Sequence, residues 1–208
     1  VDGSRHRGLV VLQAVAAVGI VAWWIYWFAS GADHAGTRCG LAYERRFPVP
    51  DLILAGFLGT TAWAFATDRP SRSWLGLVAA GMAFSLATLD TSHNLLTGGF
   101  DGSMATALRK AVFAVVNAAV GIWTLVALHG DPPAPPEGTA SATLGAVVLA
   151  GLVAVGFVAT GDGCHGALAL SQVAWACLVG LLALRTRWEL VALGAFAHGL
   201  GVWLAGLR

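Results

Sequence analysis

Asp90-Thr91-Ser92-His93-Asn94 sits within a long apolar run and concentrates the side chains best suited to chemistry. Positions i, i+3 and i+4 share a helical face, so Asp90, His93 and Asn94 form one polar stripe, which Thr97 continues. A carboxylate beside an imidazole could move a proton or hold a ligand. Ionisable groups at membrane depth face a bundle interior or a wet cavity, so the stripe is the first candidate for a ligand pocket. Asn117, Gln172 and His198 lie in other apolar runs and are the candidates to stand opposite it. The plainer use of the same groups is to hydrogen-bond one helix to another.

Two further groups invite a metal reading. Asp33-His34 and Asp162-Gly163-Cys164-His165 place carboxylates and imidazoles in segments between apolar runs. Such pairs bind zinc, copper or iron when geometry allows. Neither His-x-x-x-His nor Cys-x-x-Cys is present, so a divalent metal at Asp33, His34, Asp162 and His165 is the lesser reading and no cofactor is called for. Cys39 and Cys164 are candidates for a disulfide between two loops on one side, while Cys177 reads as a small packing residue. No Gly-x-x-x-x-Gly-Lys or Gly-x-Ser-x-Gly string occurs, and no catalytic residue is assigned.

The elements that must carry these residues are membrane helices. The chain is 57% hydrophobic and 11% charged over 208 residues, too few charges to cover a water-facing surface. Its net charge of +1 argues against nucleic acid as a partner. Twenty-seven glycines suit close helix packing and nine tryptophans suit the membrane interface. A span needs about 20 apolar residues, and about seven runs come near that length. They are Leu9–Ala29, Leu52–Thr67, Trp74–Leu96, Ala105–Leu128, Thr143–Ala159, Ala167–Leu184 and Leu190–Leu207. The first reads as a retained helix, not a signal peptide, because its apolar core is long and carries Trp23, Trp24 and Trp27. The expected architecture is all-α: a single polytopic membrane domain over residues 1–208, with helices in 1–129 and 142–208 and a proline-rich linker at 130–141.

Basic residues tie between the two sides. Arg5, Arg7, Arg69, Arg72, Arg185 and Arg187 oppose Arg38, Arg45, Arg46, Arg109, Lys110 and Arg208. The first helix and the tight arginine turns favour an N-inside, C-outside orientation. In the first loop, Phe47, Pro48 and Pro50 are expected to lie on the interface, Asp51 to cap the second helix, and Glu44 to pair with Arg45, Arg46 or Arg109. The string Tyr43-Glu44-x-x-Phe47-Pro48-x-Pro50-Asp51, followed by Leu89-Asp90-x-x-x-Asn94, resembles small bacterial multi-pass membrane proteins of uncharacterised function. That resemblance covers the first four spans. It implies a bacterial inner membrane and brings no activity, substrate or catalytic residue.

Three functional readings follow. The first is a membrane protein that binds or transports a small or lipid-like ligand through a polar pocket in the outer half of the bundle. The second is a non-catalytic scaffold whose apolar faces meet another membrane protein or a second copy. The third and least favoured is a membrane enzyme on lipid or redox substrates, since no acid/base pair or nucleophile is convincingly placed.

Overall fold

The structure is a computed structural model that describes residues 3–30, 41, 43–98, 100, 103–128, 191, 194–195, 197–200 and 202, the side chains of 3–6 excepted. All its elements among these residues are helical. Four helices are long and apolar enough to cross a membrane: α1 (Gly3–Ser30), α2 (Pro48–Ala66), α3 (Arg72–Leu96) and α4 (Met104–Ala127). The chain is helical again around Val191, Gly194, 197–200 and Val202. The fifth and sixth expected spans and the proline-rich linker fall outside the described residues, as do Asp33, His34, Cys39, Asp162, Cys164, His165, Gln172 and Cys177.

Each helix starts and stops for a local reason. Pro48 occupies the first turn of α2, where its fixed φ fits and its missing N–H costs nothing. The cap residue is Phe47, so Asp51 is not the cap expected of it but lies in the first turn, free to bond elsewhere. After α2 the chain turns through Asp68 at φ 53°, a left-handed conformation that Asp tolerates, and Asp68 pairs with Arg72 across the turn. α3 ends at Thr97, followed by Gly98 at φ 65°, the usual left-handed stop. Ser103 caps α4, its hydroxyl accepting from the Thr106 N–H at 3.3 Å.

Short connections make α2, α3 and α4 antiparallel neighbours. α1 packs along α2, α2 along α3 and α3 along α4, while α1 and α4 meet along a sparser seam that closes the ring. Hence the C-terminal ends of α1 and α3 lie with the N-terminal ends of α2 and α4. α3 is the central element, with Leu77 to Ala83, Leu86 and Leu89 buried. α1 and α4 turn large apolar side chains outward, Val15 at 64% and Val115 at 66% exposed among them. An outward apolar face of that kind is stable against lipid and costly against water.

The helical stretch around Gly194 crosses α3 backbone to backbone. The Val191 carbonyl occupies the space that a Cβ on Gly81 would need, and the Val78 carbonyl does the same at Gly194. Small residues at such a crossing allow the close approach that packs helices in lipid. Gly81→Val is therefore expected to lower stability by at least about 1–3 kcal/mol through overpacking. Gly56→Ala, where no atom lies within 4 Å of the added carbon, should be neutral or stabilising. Thermal unfolding followed by circular dichroism compares the two.

Candidate functional site

The turn before α2 builds one wall of the site. The Arg46 and Phe47 N–H groups donate to the Tyr43 and Glu44 carbonyls, both at 3.1 Å, coiling residues 43–47 into a tight turn. Phe47 is 2% exposed and tilts against Tyr43 at 4.7 Å, so it belongs to the core and not to the interface expected of it. Tyr43 lies flat on the His93 ring, with centroids 3.5 Å apart and planes within 3°. Its hydroxyl donates to Asp90 Oδ1 at 3.3 Å. Burial first, then the nearby Asp90 and Glu44 charges, hold the Tyr43 hydroxyl well above its usual range.

Asp51 is 6% exposed and is met from two sides. Trp24 Nε1 of α1 donates to Oδ2 at 3.1 Å, and His198 Nε2 lies 3.2 Å from Oδ1. The other imidazole nitrogen, Nδ1, is 3.3 Å from the Ser85 hydroxyl of α3. A carboxylate acceptor makes Nε2 the donor, and a ring with that single proton accepts from Ser85 at Nδ1. One network thus ties α1, α2, α3 and the stretch carrying His198. A separate buried bond, Gln13 Nε2 to Thr124 Oγ1 at 3.1 Å, joins α1 to α4.

Between α1 and α4, on the side of the Asp51 network, lies a cleft of about 60 Å³. One water needs about 10–15 Å³ of such space, so the cleft has room for a few waters or one small head group. α1 contributes Trp23, Trp24 and Trp27, which share a face at i, i+1 and i+4. α4 contributes Arg109, Lys110, Phe113 and Asn117 along one stripe, and α3 contributes Leu86, Asp90 and Asn94 at i, i+4 and i+8. Ile20, Glu44, Phe47 and Asp51 complete it. Across the seam, Trp23 meets the Phe113 ring at 5.0 Å and the Arg109 guanidinium at 5.7 Å.

Of the stripe on α3, Asp90 and Asn94 line the cleft, whereas His93 lies beneath Tyr43 outside the lining, 3% exposed. Both His93 ring nitrogens are buried without a hydrogen-bond partner among the described residues. Asn117 lines the cleft, and His198 acts through Asp51. Glu44 forms no ion pair among the described residues, so the pairing expected with Arg45, Arg46 or Arg109 is not made there. Among those residues no group of three His, Cys, Asp or Glu gathers as a metal site would require. The sequence reading missed Asp51, Trp24, Phe113 and the Gln13–Thr124 bond. Asp51 and Gln13 carried one legible signal: each is a polar group directly against or within an apolar run.

Glu44 is pushed up from 4.5 to about 7, by burial first and then by the Asp51 charge, against the opposing pull of Lys110 and Arg109. The folded protein therefore keeps this proton over a range where the unfolded chain has lost it. Stability from this group is full below about pH 4.5 and falls as pH rises to about 7. Glu44→Gln should match the parent's melting temperature at pH 4 and exceed it above pH 7. A constant difference across the titration would contradict the assignment. Asp51→Ala strands the Trp24 and His198 donors and is expected to cost about 3–5 kcal/mol. Because His198→Ala removes a partner from the same network, the double variant should fall short of additivity by at least about 0.5 kcal/mol in thermal unfolding. Compared with family models, curated proteins and solved structures, the chain matches none, so the chemistry of the site is argued from its own residues.

Proposed function

We propose that this is a multi-pass protein of a bacterial inner membrane, with its N-terminus inside, that binds a small amphiphilic molecule in the cleft between α1 and α4. Binding there is the first step of carriage, and the cleft lies in the outer half of the bundle in this orientation. The observation that carries the reading is the cleft's mixed lining. Carboxylates and amides face the same space as three tryptophans and Phe113. Clefts with apolar walls and a few convergent polar groups are the usual small-molecule sites. The four apolar helices support the membrane setting, and the likeness of the Tyr43–Asp51 string to small bacterial multi-pass proteins supports the inner membrane. Seven spans in all is consistent with the helical stretch around His198 meeting α3 and α2.

A scaffold role draws on the exposed apolar faces of α1 and α4, but lipid covers such faces equally well. The cleft has no use in that reading. An enzyme reading gains nothing, since the one carboxylate–imidazole contact among the described residues, Asp51–His198, is spent on joining helices.

The test uses a terminally brominated dodecanol, whose bromine quenches nearby tryptophans, titrated into the full chain in nanodiscs. Quenching should saturate, because Trp23, Trp24 and Trp27 line the site. Leu86→Phe narrows the cleft and should weaken the saturable phase by about tenfold, a change of about 1.4 kcal/mol, without lowering the melting temperature to match. Linear, unsaturable quenching in both proteins would mean simple partitioning into lipid and would remove the proposal.

A further inference from the structure

The inner part of the cleft has an unequal supply of hydrogen-bonding groups. Asn94 Nδ2 donates to the Asp90 carbonyl at 2.8 Å, and Asn117 Nδ2 donates to the Phe113 carbonyl at 2.9 Å. A backbone carbonyl can only accept, so these two bonds fix which end of each amide is nitrogen. The two Oδ1 atoms are therefore the ends left over. Neither has a partner among the described residues, although Asn94 and Asn117 are only 8% and 7% exposed and both line the cleft. Asp90, half-buried, adds a third acceptor. Its Oδ1 accepts from Tyr43, and its other oxygen has no partner among the described residues. These three acceptors belong to residues that line the cleft, where a donor placed within it can pair with them.

The molecule's own cations do not meet this need. Lys110 makes no ion pair with the cleft's carboxylates among the described residues. Asn117 lies two turns further along α4 than Lys110, about 10 Å at the helical rise. Arg109 stands over Trp23, which shows that this aromatic wall accepts a cation. Charge points the same way: Glu44 stays protonated to about pH 7 despite both basic neighbours, with the Asp51 charge outranking either of them. An anionic head group would add a further acceptor beside these three.

We propose that the cleft selects amphiphiles whose head group is an organic ammonium ion, its N–H groups donating to Asp90, Asn94 and Asn117 and its charge lying among the tryptophans. This rests on the reading of the cleft as an amphiphile site and adds the class of head group. Its occupant would carry at least one N–H bond and a fixed or readily gained positive charge, as primary and secondary alkylamines do at neutral pH.

The experiment ranks three probes with the same tail, dodecylammonium, dodecanol and dodecyl phosphate, as competitors of the brominated dodecanol in nanodiscs of neutral lipid at pH 7. The ammonium should displace it at a concentration at least about tenfold below that of the alcohol, with the phosphate weakest. Asp90→Asn and Asn117→Leu should each erase that preference, read as the ratio of the ammonium's to the alcohol's displacing concentration within the same variant. Asn117→Leu also guards against a folding failure of the Asp90 variant, and the ranking in the parent protein needs no variant. Equal or tighter binding of the alcohol or the phosphate overturns the ammonium assignment and leaves the amphiphile site standing. If the brominated probe itself shows no saturable binding, both fall together. A preference that survives both substitutions would place the ammonium elsewhere and overturn the assignment to these residues.

Discussion

The bundle depends on a carboxylate that it buries. Asp51 sits in the first turn of α2 with Trp24 on one side and His198 on the other, and without those donors its place would be untenable. Desolvating a carboxylate is expensive, so the contact exists only if three elements arrive together. The bond from His198 to Ser85 then brings in α3 as the fourth. Packing among apolar side chains specifies this arrangement far less sharply, because leucine and alanine faces tolerate small slips in rotation. A polar network inside an apolar bundle has one satisfactory geometry, and the helices must adopt it.

The cleft is a consequence of where that network stops. α1 is bonded to α2 through Trp24 and to α4 through Gln13, but between these points the α1–α4 seam is held, among the described residues, by apolar packing, ring contacts and one guanidinium. α4 is also the least embedded helix, burying only Asn117, Val120, Gly121 and Thr124. Gly121 lets it approach Phe84 of α3 at one level, while Asn117, one turn away, faces open space. Close packing at the glycine and a gap at the asparagine follow from side-chain size along a single stripe.

Much of this was legible in the sequence. Four apolar runs were long enough for spans, and the helices found there begin and end within a few residues of them. Asp90, Asn94 and Glu44 were expected at one end of the bundle, since loop position and helical spacing fix which end a residue occupies. Burial was not legible. Phe47 was expected at the interface because Pro48 and Pro50 read as an extended segment, yet the turn at residues 43–47 swings its ring into the core. Asp51 was read as a cap because caps are local, whereas its actual partners lie 27 and 147 residues away. His93 shares a stripe with Asp90, but Tyr43, from a different segment, decides that one faces the cleft and the other is covered. Periodicity assigns faces; only the neighbouring chain decides what each face meets.

The crossing at Gly81 and Gly194 bears on the imidazole more than on the packing where it was first noted. Two main chains touch there with no side chain between them, so there is no rotamer to absorb a displacement. His198 lies one turn beyond Gly194 on the same stretch. Its ring is thereby aimed from the stiffest part of the molecule, and the separation of Nε2 from Asp51 is gauged by glycine backbone, as a calliper is set by its jaws.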